Sequence, residues 1–169
     1  MKNKKIKVLF GIISLFIISI TFLIYVWYNK KYDIGPVAQN IINEIDNLEN
    51  SNSECIVDLN KITDFEWDKV IIVSADFLAI GYSKEKIKNL WGIEYEFQPG
   101  FKSRLIFIKN DSIVYEEAFL SSIENPVKFN ISISSKFDYY KILYSNNAKI
   151  TAGRSQYNSE EYCYSLIIE

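Results

Sequence analysis

Asp64, Glu66 and Asp68 alternate with Phe65 and Trp67. Successive side chains of an extended chain point to opposite faces, so this pattern gathers three carboxylates on one side and two rings on the other. Such a cluster could hold Ca²⁺, which takes roughly six to eight oxygen ligands, or supply the carboxylate pair that cleaves a glycosidic bond. The competing reading is an exposed acidic face backed by buried Phe65 and Trp67. That reading is favoured, because no Asp/Asn/Gly calcium loop is present and the same alternation recurs at Glu94, Tyr95, Glu96 and Phe97.

Ser83 and Lys86 fit a Ser-x-x-Lys pattern, in which lysine eases removal of the serine proton. The companion motifs of penicillin-binding proteins do not follow: Ser145-Asn146-Asn147 is only a loose Ser-x-Asn, and no Lys-Thr-Gly is present. Ser83 therefore reads as a helix N-cap followed by solvated lysines. The chain has no histidine, which excludes Ser-His-Asp and Cys-His catalysis and the usual His-containing zinc sites. Two cysteines are too few for a Cys-based zinc site, so neither metal nor cofactor is expected. Cys55 and Cys163 could instead form a disulfide, worth up to about 4.7 kcal/mol for a loop of this length, or pack as two separate thiols. Tyr139, Tyr140, Tyr144, Tyr157, Tyr162 and Tyr164 could stack on envelope sugars or line a protein interface, although tyrosine is also favoured in strands.

The compartment is set by residues 8–28, twenty-one residues without a charge. As a helix they would rise roughly 31 Å, which matches a bilayer hydrocarbon core. Tyr25, Trp27 and Tyr28 sit at the far end, where amphipathic rings favour the membrane interface. Lys2, Lys4, Lys5 and Lys7 precede the run and only Lys30 and Lys31 follow closely, which keeps the N-terminus cytoplasmic and exports the remainder. A cleaved signal peptide is the rival, but Phe22 to Trp27 prolong the apolar run where small residues should end it. Six of the nineteen basic residues lie in 1–31 and all twenty-one acidic ones beyond, so the exported part carries 13 minus 21, or −8. That charge excludes nucleic acid as a partner.

The expected organisation is a basic stub (1–7), a transmembrane anchor (8–28), a juxtamembrane linker (29–35) and one exported domain (36–169). In the domain, Pro36 opens a helix whose apolar stripe is Val37, Ile41, Ile45 and Leu48. A second helix, Lys84 to Trp91, is packed through Ile87, Leu90 and Trp91 and stopped by Gly92. Strand patterns follow at residues 55–59, 69–73, 104–109, 113–119, 128–133, 139–144, 149–152 and 162–168, with Asn110-Asp111-Ser112 turning a hairpin. Leu105 to Ile108 is apolar on both faces, so its strand is covered twice. The fold class is α+β, with two helices packed on a largely antiparallel sheet of about seven strands.

Phe65-Glu66-Trp67-Asp68, with Ser83 to Glu85 and Leu105 to Asn110, resembles an uncharacterised group of small bacterial membrane-anchored proteins and lipoproteins. In that group a Phe-x-Trp-Asp strand lead is followed by a short helix and a hairpin. The resemblance covers residues 58–119 and implies no activity; this chain lacks the lipid-attachment cysteine. The expectation is a non-enzymatic, single-pass membrane protein whose exported acidic domain binds a protein or an envelope component such as glycan. The alternative is a small envelope hydrolase using the carboxylates or the Ser/Lys pair, and a third reading is an assembly subunit.

Overall fold

The computed structural model describes residues 13–25, 34–47, 54–75, 77, 81–97, 102–120, 129–133, 139–156 and 162–168. The chain divides into two units, Met1–Asp33 and Ile34–Glu169. In the first, residues 13–25 are helical (α1). The Ser19 hydroxyl donates to Leu15 O at 2.9 Å and the Thr21 hydroxyl to Ile18 O at 2.9 Å, so both polar side chains are satisfied within the helix. The transmembrane helix expected over 8–28 is corrected here: among the described residues no helix is long and apolar enough to cross a membrane. Tyr25 is exposed at the end of α1, while Trp27 and Tyr28 lie outside the described residues.

The second unit is α+β, but its single seven-stranded sheet with two helices is also corrected. It holds α2 (Pro36–Asp46), β1 (Glu54–Asp58), α3 (Leu59–Ile62), β2 (Lys69–Val73), α4 (Lys84–Trp91), β3 (Lys102–Lys109), β4 (Ser112–Leu120), β5 (Phe129–Ile133), β6 (Tyr140–Tyr144), β7 (Lys149–Gln156) and β8 (Tyr162–Ile168). The strands form two four-stranded sheets, ordered β1-β7-β8-β5 and β4-β3-β2-β6. Every pairing is antiparallel except that of β5, which joins β8 in parallel.

The division into two sheets follows from the central strands of the second. Val70, Ile72, Leu105 and Phe107 face a core shared with α2, α3 and the first sheet. Their neighbours Ile71, Val73, Ile106 and Ile108 face a second core, built with Phe77, Ile87, Trp91, Ile93 and Tyr95. A sheet buried on both sides needs a layer on each, and the first sheet supplies one of them. The hairpin turn is tighter than the expected tripeptide: Asn110 (φ 50°) and Asp111 (φ 56°) alone make it, and Lys109 pairs with Ser112. Both residue types tolerate the left-handed region that such a two-residue turn requires.

α4 starts and stops as the sequence predicts, with the Ser83 hydroxyl accepting from Lys86 N and Gly92 in the left-handed conformation. Leu90 is a correction: it points outward, and only Ile87 and Trp91 of this helix are buried. α2 buries Val37, Ile41 and Ile45 as expected, and Leu48 lies outside the described residues. Its N-cap, Gly35, offers no side chain, and its first turn holds no acid. The cap comes instead from β4. Glu117, 5% exposed, accepts from Val37 N at 3.1 Å and Ala38 N at 3.0 Å. The Tyr115 hydroxyl donates to the same carboxylate at 2.7 Å. A Cβ on Gly35 would stand 2.3 Å from Glu117 Cδ, so glycine is what lets the carboxylate reach the helix end.

Glu117→Ala leaves two helix N–H groups and a tyrosine hydroxyl facing an apolar void. Chemical denaturation should show a loss of about 3 kcal/mol; a loss under about 1 kcal/mol would contradict the assignment.

Candidate functional site

An open cleft of about 550 Å³ lies at the end of the second sheet, where β2 begins and β3 and β6 finish. It contains the acidic-aromatic stretch. Phe65, Glu66, Trp67 and Asp68 line it together with Asn60, Thr63, Lys109, Ser145 and Asn146. Residues 64–68 are a bent lead-in rather than a strand, yet the alternation survives: Asp64, Glu66 and Asp68 are exposed, Phe65 is half-buried and Trp67 buried. The rings are anchored on the core, with Phe65 and Trp67 each 5.2 Å edge-on from Phe107.

The polar groups are held by one another. Asp68 Oδ2 accepts from Asn110 N at 2.7 Å, and its backbone donates to Ile108 O and accepts from Ser145 N, so it joins β2, the hairpin turn and the end of β6. Glu66 pairs with Lys109, and this pairing holds its carboxyl below the usual range. Asn60 Nδ2 donates to Ser145 O at 2.6 Å, closing the rim between α3 and the turn after β6. Trp67 Nε1 donates to Thr63 Oγ1 at 3.0 Å, and Thr63 Oγ1 donates to Leu59 O at 2.9 Å.

No group of three or more Cys, Asp or Glu side chains able to hold a metal occurs among the described residues. The side chains of the Ser-x-x-Lys pair are not brought together: Ser83 Oγ accepts from the Lys86 backbone at 3.2 Å, while Lys86 Nζ sits 3.9 Å over the Tyr82 ring. On the opposite face of the sheet Arg104, 2% exposed, pairs with Glu116, and the Tyr95 hydroxyl donates to Glu116 Oε1 at 2.6 Å. Burial, then this bond, pushes the Tyr95 phenol above its ordinary range. The group ties residues 93–97 to β3 and β4.

Cys55 and Cys163 are free thiols, the second of the two readings left open by the sequence. β7 runs between their strands: Cys55 is opposite Ala152, Ala152 opposite Leu166, and Cys163 opposite Ser155. Two strand spacings separate them by more than about 9 Å, beyond the roughly 7 Å a disulfide spans. Among the described residues these tyrosines form no common platform. Tyr139 and Tyr140 pack on one core and Tyr164 on the other. Tyr144 is exposed, whereas Tyr157 lies outside the described residues, as does the side chain of Tyr162.

The sequence singled out the cleft's acids and rings, and Asn146 only within a loose Ser-x-Asn, but missed Asn60, Thr63 and Lys109. Asn60 and Thr63 come from α3 and its C-cap and Lys109 from the end of β3, and of these only Lys109, at the mouth of the predicted hairpin, carried a signal. No protein-family profile, curated protein or solved structure matches this chain.

Burial raises both thiols above the ordinary cysteine range. A raised pKa leaves less thiolate at neutral pH, so iodoacetamide should alkylate Cys55 and Cys163 more slowly in the folded protein than in the unfolded chain. The folded rate should climb only at higher pH. Thiol titration of non-reduced protein in denaturant should count two thiols; a count of zero, or an alkylation midpoint at or below that of unfolded protein, would contradict this placement.

Proposed function

We propose that the second unit is a non-catalytic binding domain displayed on the outer side of a bacterial membrane. It takes a protein or envelope component into the cleft lined by Phe65, Glu66, Trp67 and Asp68. The observation that carries this reading is the state of the cleft's functional groups. Glu66 is neutralised by Lys109, and Asp68 is used to fix a turn. A hydrolase would need one carboxyl kept protonated beside one ionised, and the pairing of Glu66 with Lys109 favours the ionised form instead. The cleft is also open, which suits docking better than the water exclusion that favours chemistry.

Its rim is rigid, being hydrogen-bonded to α3, the hairpin and the end of β6, so little ordering is lost on binding. Asn146 is exposed on that rim, and Asn146→Trp should fill the cleft without disturbing the core. Full-length protein in detergent should retain a component of isolated cell-envelope fractions, and the variant should retain it at least about tenfold more weakly, a loss of about 1.4 kcal/mol. Equal retention by the variant, or turnover of envelope glycan or peptide by the wild type, would overturn the reading.

A further inference from the structure

We infer that β1 is an acceptor edge, onto which a partner polypeptide adds an antiparallel strand carrying an apolar residue with lysine or arginine two positions to either side. This goes beyond the cleft and shares no residue with its lining. β1 ends the first sheet and, among the described strands, pairs only with β7, in a register without a bulge. Leu59 N donates to Ala148 O at 2.9 Å, in step with the pairing of Asp58 to Lys149. Hydrogen-bonded and non-bonded pairs alternate along an antiparallel ladder, so Val57 and Cys55 give their amides and carbonyls to β7. Glu54, Ile56 and Asp58 therefore direct theirs to the open edge.

The same three residues carry the side chains that select the partner. Cys55 and Val57 turn into the core, which sends Ile56 to the outer face, where it is 74% exposed. Sheets guard an edge with a bulge or a central charge. β4, an edge of the second sheet, has a register shift beside Ile113, whereas β1 is regular and centred on isoleucine. Glu54 lies opposite Gly153 and Asp58 opposite Lys149, and neither acid forms an ion pair among the described residues. Asp58 Oδ1 accepts from Asn60 N at the start of α3. A second copy of the chain fits badly: antiparallel pairing centred on Ile56 would set Glu54 of each copy against Asp58 of the other, and like charges directly opposite are destabilising. Lysine or arginine at those two places reverses the sign, and an apolar residue between them covers Ile56. The net charge of −8 on residues 32–169 also draws a basic segment towards the domain.

The test is a titration of ¹⁵N-labelled full-length protein in detergent with an acetylated Thr-Lys-Thr-Val-Thr-Lys-Thr amide. Saturable shifts should centre on the Ile56 amide, whose exchange with solvent should slow in the complex. The same peptide N-methylated at valine, which cannot donate to the Ile56 carbonyl, should not bind. A Thr-Glu-Thr-Val-Thr-Glu-Thr counterpart should bind at least about fivefold more weakly. Ile56→Lys, at a position outside the core, should weaken the lysine peptide by a similar factor and leave the Trp67 indole N–H resonance in place. No saturable shift at Ile56, equal binding of the methylated or acidic peptide, or unchanged affinity in the variant overturns the inference. Concentration-dependent protection of Ile56 without peptide would assign the edge to a second copy and overturn it too. Envelope retention by Asn146→Trp reads the cleft alone, so the two readings fail separately.

Discussion

The buried carboxylate of Glu117 joins parts of the domain that the chain separates by about eighty residues. An ionised group at that depth is costly unless its oxygens are filled. Here the Val37 and Ala38 amides and the Tyr115 hydroxyl fill them, at a helix end whose dipole favours negative charge. Removing any partner converts the contact from stabilising to destabilising. The interaction therefore locks α2 to β4 while the apolar stripe of α2 packs into the core between the sheets. Gly35 is fixed by the same requirement, through space rather than backbone angle, since its φ is −74°.

The doubly covered strands β2 and β3 have a consequence for the site. With both faces given to cores, the second sheet can offer a ligand only its edges and ends, and the cleft occupies one end. Phe65 and Trp67 turn inward there against Phe107, which leaves the acids between them outside. The acidic-aromatic alternation is thus a packing device that also sets the electrostatics of the cleft.

What the sequence reveals is local. The α2 stripe, the Ser83 and Gly92 caps of α4, the β3–β4 hairpin and the two-faced run of β3 are each encoded within a dozen residues; each is found, with Leu48 of the stripe outside the described residues and the hairpin turning on two residues instead of three. The four-residue helix α3 is too short for any hydrophobic period to register. The split into two sheets and the parallel β5–β8 pair depend on which buried faces meet, a non-local choice. The cap of α2 was hidden for the same reason, although Glu117 shares the inward phase of Tyr115 and Phe119 and so marked itself as an acid aimed at the core. Of the cleft, the residues on one continuous stretch were legible; Asn60 and Asn146 reach it only through tertiary pairing.

The account turns on whether Glu117 makes α2 part of one cooperative unit with the second sheet. Native-state amide hydrogen exchange measures this directly. The Val37 and Ala38 amides, which lack partners within their own helix, should exchange only through the same global opening as the amides of Ile71 and Ile106. Fast exchange at Val37 and Ala38, at the rate of a fraying helix end, would contradict it.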